Sequence, residues 1–239
     1  MSLVAALREG LAALGDAEKA PQMQAYMKSA MPFRGVQTPR RRRLVRDVLA
    51  THGAPATRDA WIATVRELWD DAAYREERYV ALDLCAHRSA RAWQDPDALP
   101  LYDHLVVTGA WWDLVDPVAT HLVGPILRAA PDEVAPVVRG WSRDPDRWRR
   151  RAAVIVQIGA KAATGTALLA DAVTANLADP DFFLRKGIGW ALREYAKTDP
   201  GWVRAFVDAH RHELSPLSLR EASKHLGEGA GPRASSRAR

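Results

Sequence analysis

Near the middle of the chain stands Trp111-Trp112-Asp113-Leu114-Val115-Asp116. Two adjacent indoles are followed by two carboxylates, and an aromatic platform beside an anion suits a cationic or electron-poor partner. On a helix Trp112 and Asp116 lie one turn apart and share a face, whereas adjacent residues point apart. Trp111 therefore suits the core of a helix junction. Asp113 reads as a helix cap or a salt-bridge partner. Asp116 with Pro117 reads in two ways: as the N-cap and first residue of a new helix, or as a functional carboxylate.

The second chemical signal is arginine. Residues 34–46 hold Arg34, Arg40, Arg41, Arg42, Arg43 and Arg46 with no acid, and residues 139–151 hold six arginines against Asp144 and Asp146. Four consecutive arginines surround a helix, so at least one must lie along the packed face or meet a carboxylate. One such run alone is as well explained by a solvated face. Two runs at the starts of helices favour phosphate, because guanidinium forks match phosphate oxygens and helix N-termini add donors. Overall, 34 basic residues against 29 acidic ones leave a net charge of +5, a moderate bias toward polyanions.

The elements that must position these groups are helical throughout. Leu3, Leu7, Leu11 and Leu14 form a first stripe, and Ala20-Pro21 opens a segment with Met23, Tyr26 and Met27. Thr38 is expected to cap a helix whose first residue is Pro39 and whose stripe is Leu44, Val45, Val48 and Leu49. Thr57 caps the next, through Trp61, Val65, Leu68 and Trp69. Helix pairs follow with breaks at 71, 109, 145 and 180, at intervals of 38, 36 and 35 residues. A shorter helix covers Gly201–His210, and Ser215-Pro216 opens a last one. The recurring break predicts an all-α, superhelical solenoid of HEAT-like antiparallel helix hairpins with a basic concave face. One domain is expected over 1–226, and 227–239, a Gly-, Ala-, Ser- and Arg-rich tail, is expected to be disordered.

Composition excludes several classes. A single cysteine, Cys85, rules out an internal disulfide and a cysteine-cluster metal site, and its apolar setting predicts a buried thiol. The histidines offer only His210 and His212 near ligand spacing, without partners, so no metal is expected. No apolar run approaches a membrane span, and the early Arg8-Glu9 pair interrupts any signal-peptide core. A soluble, reducing, cytoplasmic setting is the expectation. Trp61, Trp69, Trp93, Trp141 and Trp202 are assigned to the core.

Several stretches together carry a resemblance. They are Tyr26-Met27-Lys28, Phe33 to Arg41, Arg66-Glu67-Leu68-Trp69, Trp111 to Asp116, Trp148 to Ala153, Gly189 to Lys197 and Leu217 to Ala222. In this order the chain resembles the HEAT-like-repeat alkylpurine DNA glycosylases of the DNA alkylation repair family, the AlkD type, from residue 3 to about 226. The resemblance implies a superhelix that cradles duplex DNA. It implies excision of positively charged N3- and N7-alkylated purines without extruding the nucleotide, leaving an abasic site, by a monomer that needs no cofactor. It carries the family's catalytic residues onto Trp112, Asp116, Arg151 and Trp190, with Arg151 as the phosphate ligand. DNA contacts are implied for Arg151, Tyr26, Gln37, Arg40, Arg41, Arg150 and Lys186. The competing class is a noncatalytic HEAT-repeat module that binds damaged or branched DNA, or a protein.

Overall fold

The computed structural model describes residues 2–226, so the 227–239 tail lies outside the described residues. Every regular element among the described residues is helical, and the chain divides into two compact units, Met1–Leu122 and Val123–Arg239. No helix among the described residues is long and apolar enough to cross a membrane.

The first unit holds α1 (Leu3–Ala13), α2 (Lys19–Met27), α3 (Thr38–His52), α4 (Arg58–Asp70), α5 (Arg75–Cys85), α6 (Leu99–Gly109) and α7 (Trp112–Pro117). Leu7 and Leu11 of α1 are fully buried, and α1 packs on α3. The Thr57 hydroxyl caps α4 as expected, accepting from the Ala60 N–H at 3.2 Å. The cap of α3 falls one residue earlier than expected, on Gln37, which makes no side-chain cap bond. A short turn returns α4 into α5, and the two pack as a hairpin around Trp61, Val65, Leu68 and Trp69.

Between α2 and α3 the chain is irregular, and a buried carboxylate holds it. Glu76, in the first turn of α5, is fully buried and accepts from the N–H groups of Arg34 (2.9 Å), Gly35 (2.9 Å) and Val36 (3.1 Å). Three aligned donors satisfy the charge that burial would otherwise make costly. Gly35 sits at φ +83°, and a Cβ there would fall 2.2 Å from the Asp16 carbonyl oxygen. Only glycine fits both the conformation and the space.

The second unit holds α8 (Gly124–Ala129), α9 (Pro131–Trp141), α10 (Arg147–Ile155), α11 (Thr166–Thr174), α12 (Phe182–Ala196), α13 (Pro200–Ala209) and α14 (Pro216–Ala222). Within this unit one turn device occurs twice, 35 residues apart, in the Asp-Pro-Asp triplets at 144–146 and 179–181. In each, the first aspartate accepts from the third residue's N–H, at 2.8 Å and 2.7 Å. The third residue then caps the helix: Asp146 accepts from Trp148 and Arg149, Asp181 from Phe183 and Leu184. Proline blocks the preceding helix while two short carboxylates supply acceptors for the unpaired N–H groups that start the next.

Helix α12 packs against α10, α13 and α14. A Cβ on Gly189 would lie 2.5 Å from the Glu221 Cβ and 3.1 Å from the Ser218 carbonyl oxygen of α14. Gly189→Ala is therefore expected to cost about 1–3 kcal/mol by overpacking. Thermal unfolding measures it, and an unchanged midpoint would contradict this packing.

The indoles divide differently from expectation. Trp61, Trp69 and Trp141 are buried, while Trp93 and Trp202 are half-buried, Trp93 tilted against Trp61 and Trp202 stacked on Phe206 with centroids 5.6 Å and 5.2 Å apart. Cys85 is buried as expected, and desolvation pushes its thiol pKa upward.

Candidate active site and DNA-facing residues

Helix α7 begins at an extended Trp111, whose carbonyl accepts from Leu114 (3.1 Å) and Val115 (3.0 Å). Leu114 and Val115 face the core. Pro117 is the last α-helical residue, and the helical path continues as a π-helical segment, Val118–Val123. Proline lacks the N–H that would bond to the Asp113 carbonyl, and the wider π turns follow directly after it. The Thr120 hydroxyl donates to the Asp116 carbonyl at 2.7 Å across this widened turn. Asp116 therefore stands inside a continuous helix, and the reading of Asp116-Pro117 as a cap and first turn is overturned.

Trp112 and Asp116 are both half-buried and one helical turn apart. Trp111, expected in the core, is half-buried as well. Asp113 takes the salt-bridge role: its carboxylate meets Arg75 at 2.5 Å and 3.3 Å and accepts from the Tyr79 hydroxyl. Both partners in that ion pair are buried. Desolvation, then the adjacent Asp113 charge, pushes the Tyr79 pKa well upward, so the phenol stays a hydrogen-bond donor.

The α3 arginines separate by helical phase. Arg41, expected on DNA, is only 8% exposed; it pairs with Asp83 at 2.6 Å and its guanidinium lies over the Tyr79 ring at 4.9 Å. It is spent inside the unit, because its position shares the packed face with Val45 and Leu49. Arg40, Arg43 and Arg46 are exposed, and Arg42, also exposed, reaches Asp83 at 3.4 Å. Gln37 and Tyr26 are exposed too, Tyr26 at 73%.

In the second unit Arg151, expected to bind a phosphate, is largely enclosed. It is 4% exposed, donates to the Phe183 carbonyl, and packs beside Gly187 of α12. Arg150 is likewise occupied: it donates to the Asp144 and Pro145 carbonyls at 2.7 Å and 2.8 Å and pairs with Asp179 at 2.9 Å. It thus ties one Asp-Pro-Asp turn to the next. Lys186 pairs with Glu221 at 2.8 Å but keeps 43% of its side chain exposed. Trp190, beside Gly189 on α12, is half-buried.

Two acids escaped sequence reasoning: Glu76, described above, and Glu221. Glu221 gathers Lys186, Lys224 and Arg193. The Lys186 and Lys224 hydrogen bonds hold its pKa down at about 2. An acid in an otherwise basic, small-residue helix contact was the available signal for Glu221. Glu76 offered none beyond its place in a helical first turn.

Compared with known proteins, residues 7–226 match the model of the family described as "DNA alkylation repair enzyme". Among solved structures the chain is similar to a predicted DNA alkylation repair enzyme from Enterococcus faecalis, with 29% identity and a TM-score of 0.76. That match covers 90% of this chain and 98% of the other. No curated protein matches. With the family model spanning nearly its whole length, this chain belongs to the DNA alkylation repair enzyme family.

Proposed function

We propose that this protein is a monofunctional DNA glycosylase that removes positively charged N3- and N7-alkylated purines, such as 3-methyladenine and 7-methylguanine, from duplex DNA. The observation that carries the reading is the pairing of Trp112 and Asp116, half-exposed and one turn apart on a helix continuous through Pro117. An alkylated purine of this kind already bears its positive charge. When the bond to C1′ breaks, the electron pair leaves with the base and neutralises it, so no general acid is required, unlike O-glycoside hydrolysis.

The charge that develops lies on the deoxyribose. In this reading Asp116 stabilises that cation electrostatically and orients the attacking water, whose oxygen bonds to C1′ and whose proton passes to the carboxylate or solvent. Trp112 presents its indole face to the same sugar. No lysine nucleophile is invoked, so the product is an abasic site in an uncut strand. The base leaves without being flipped into a pocket. Residues 1–226 act as one repair domain, working as a monomer in the cytoplasm on double-stranded DNA.

The remaining expectations sort by where the side chains stand. Tyr26, Gln37, Arg40 and Lys186 are proposed DNA contacts, and Trp190 offers its half-exposed indole to the backbone. Arg151 acts as a positioning residue, setting α12 through the Phe183 carbonyl. Arg41 and Arg150 hold the scaffold.

Incubation with methylated duplex and chromatography of released bases tests the activity. Release above a buffer control is expected; none would favour a noncatalytic DNA-binding module. Removing Arg40 and Arg43 together is expected to weaken duplex binding and to flatten the salt dependence by about one unit of slope for each phosphate no longer neutralised. Arg41→Ala should leave that slope unaltered while lowering thermal stability. Anisotropy titrations across a salt series check both, and a slope that falls with Arg41→Ala would return that residue to the DNA.

A further inference from the structure

Helix α2 is unusual in burying none of its residues. It nevertheless carries Met23, Tyr26 and Met27, and these roof a cavity of about 510 Å³ that lies wholly within the first unit. Phe33, Tyr79 and Leu122 also line it, together with Asp113 and Pro117 of α7 and with Arg41, Arg42 and Asp83. A helix that fills no core of its own yet turns its apolar side chains over a cavity is suited to be a cover, held by few contacts and able to open locally.

The lining specifies the chemistry of an occupant. Tyr26, Phe33 and Tyr79 bring aromatic rings to the lining, and Met23 and Met27 bring polarizable sulfurs that contact aromatic rings well. The Arg41 guanidinium, already stacked over Tyr79, is a further flat surface. Two guanidiniums, Arg41 and Arg42, stand against two carboxylates, Asp83 and Asp113, so with neutral histidine the wall carries no net charge. The volume falls in the range of small-molecule sites, and an apolar, aromatic lining with a few polar groups is their usual composition.

We propose that the cavity beneath α2 is a binding site for a free, uncharged, flat heteroaromatic molecule of purine size, with α2 as its lid. Neither Trp112 nor Asp116 lines the cavity, although Asp113 and Pro117 beside them do and Tyr26 is also a proposed DNA contact; the proposal does not rest on excision chemistry.

Caffeine, a soluble and neutral methylated purine, is the probe. Calorimetric titration of the full chain is expected to give a Kd below about 1 mM, with cyclohexanol binding at least about tenfold more weakly. Caffeine should also slow amide exchange in residues 19–27. Two lid variants test the location: Met27→Trp fills the cavity, and Met23→Glu places a charge in its roof. Each should weaken caffeine at least about tenfold. Because α2 contributes nothing to the core, both are expected to keep the wild-type circular dichroism. Absence of saturable binding up to about 10 mM caffeine, equal affinity for cyclohexanol, or wild-type affinity in either folded variant overturns the proposal. None of these readouts uses DNA, so glycosylase activity stands or falls separately.

Discussion

Asp116→Asn is expected to lower the excision rate of 7-methylguanine from methylated duplex by about two to three orders of magnitude, the scale on which loss of one preorganised electrostatic group slows a reaction. The substitution keeps the size of the side chain and removes only its charge. The bond from Thr120 goes to the backbone carbonyl of residue 116 and is available to either side chain. Duplex affinity should therefore stay within about twofold, and the loss should appear in the chemical step under single-turnover conditions. A variant that excises within about tenfold of wild type would remove Asp116 from the mechanism. Asp113→Asn is the natural companion. It leaves the Arg75 guanidinium buried without its carboxylate, so its main effect is expected in the unfolding temperature.

Glu76→Ala is expected to be the most destabilising single change in the first unit, costing about 3 kcal/mol or more. It strips three backbone N–H donors of their acceptor, and those of Gly35 and Val36 are buried where water does not replace it. Glu76→Gln should be milder, because one amide oxygen still accepts from two of the three. Denaturant titration ranks the variants, and a loss below about 1 kcal/mol for the alanine form would mean that the loop is held by something else. The Phe33–Val36 segment leads directly into α3, so exposure of that loop to protease is a second readout.

The helical architecture was legible because apolar residues recur at three and four along each element and because turn chemistry marks the breaks. Thr57 and Ser215 cap as their residue types require, with Ser215 accepting from Ser218 at 3.0 Å. The arginines were less legible. Their types and spacing suggested phosphate, yet helical phase decides which of them can reach it. Arg41 and Arg151 fall on packed faces, and Arg150 is drawn to the carbonyls and carboxylate of neighbouring turns. A run of like residues conceals that phase, since every position looks equivalent until the helix is placed against its neighbours. Asp116-Pro117 misled for another reason. An aspartate before proline commonly starts a helix, yet here the pair stands within one, followed by the π-helical segment. Within α7, the expected separation of Asp113 from Asp116 matches the geometry of Asp113, turned inward to Arg75.

The π-helical stretch Val118–Val123 also makes chain length adjustable at that point. A π turn holds one residue more than the α turn it replaces, so deleting a single residue there lets the helix rewind in the common form instead of breaking it. Trp112 and Asp116 precede the stretch and would keep their mutual spacing through such a deletion. Helices seldom tolerate a change of length in their interior; this one contains a segment able to absorb it.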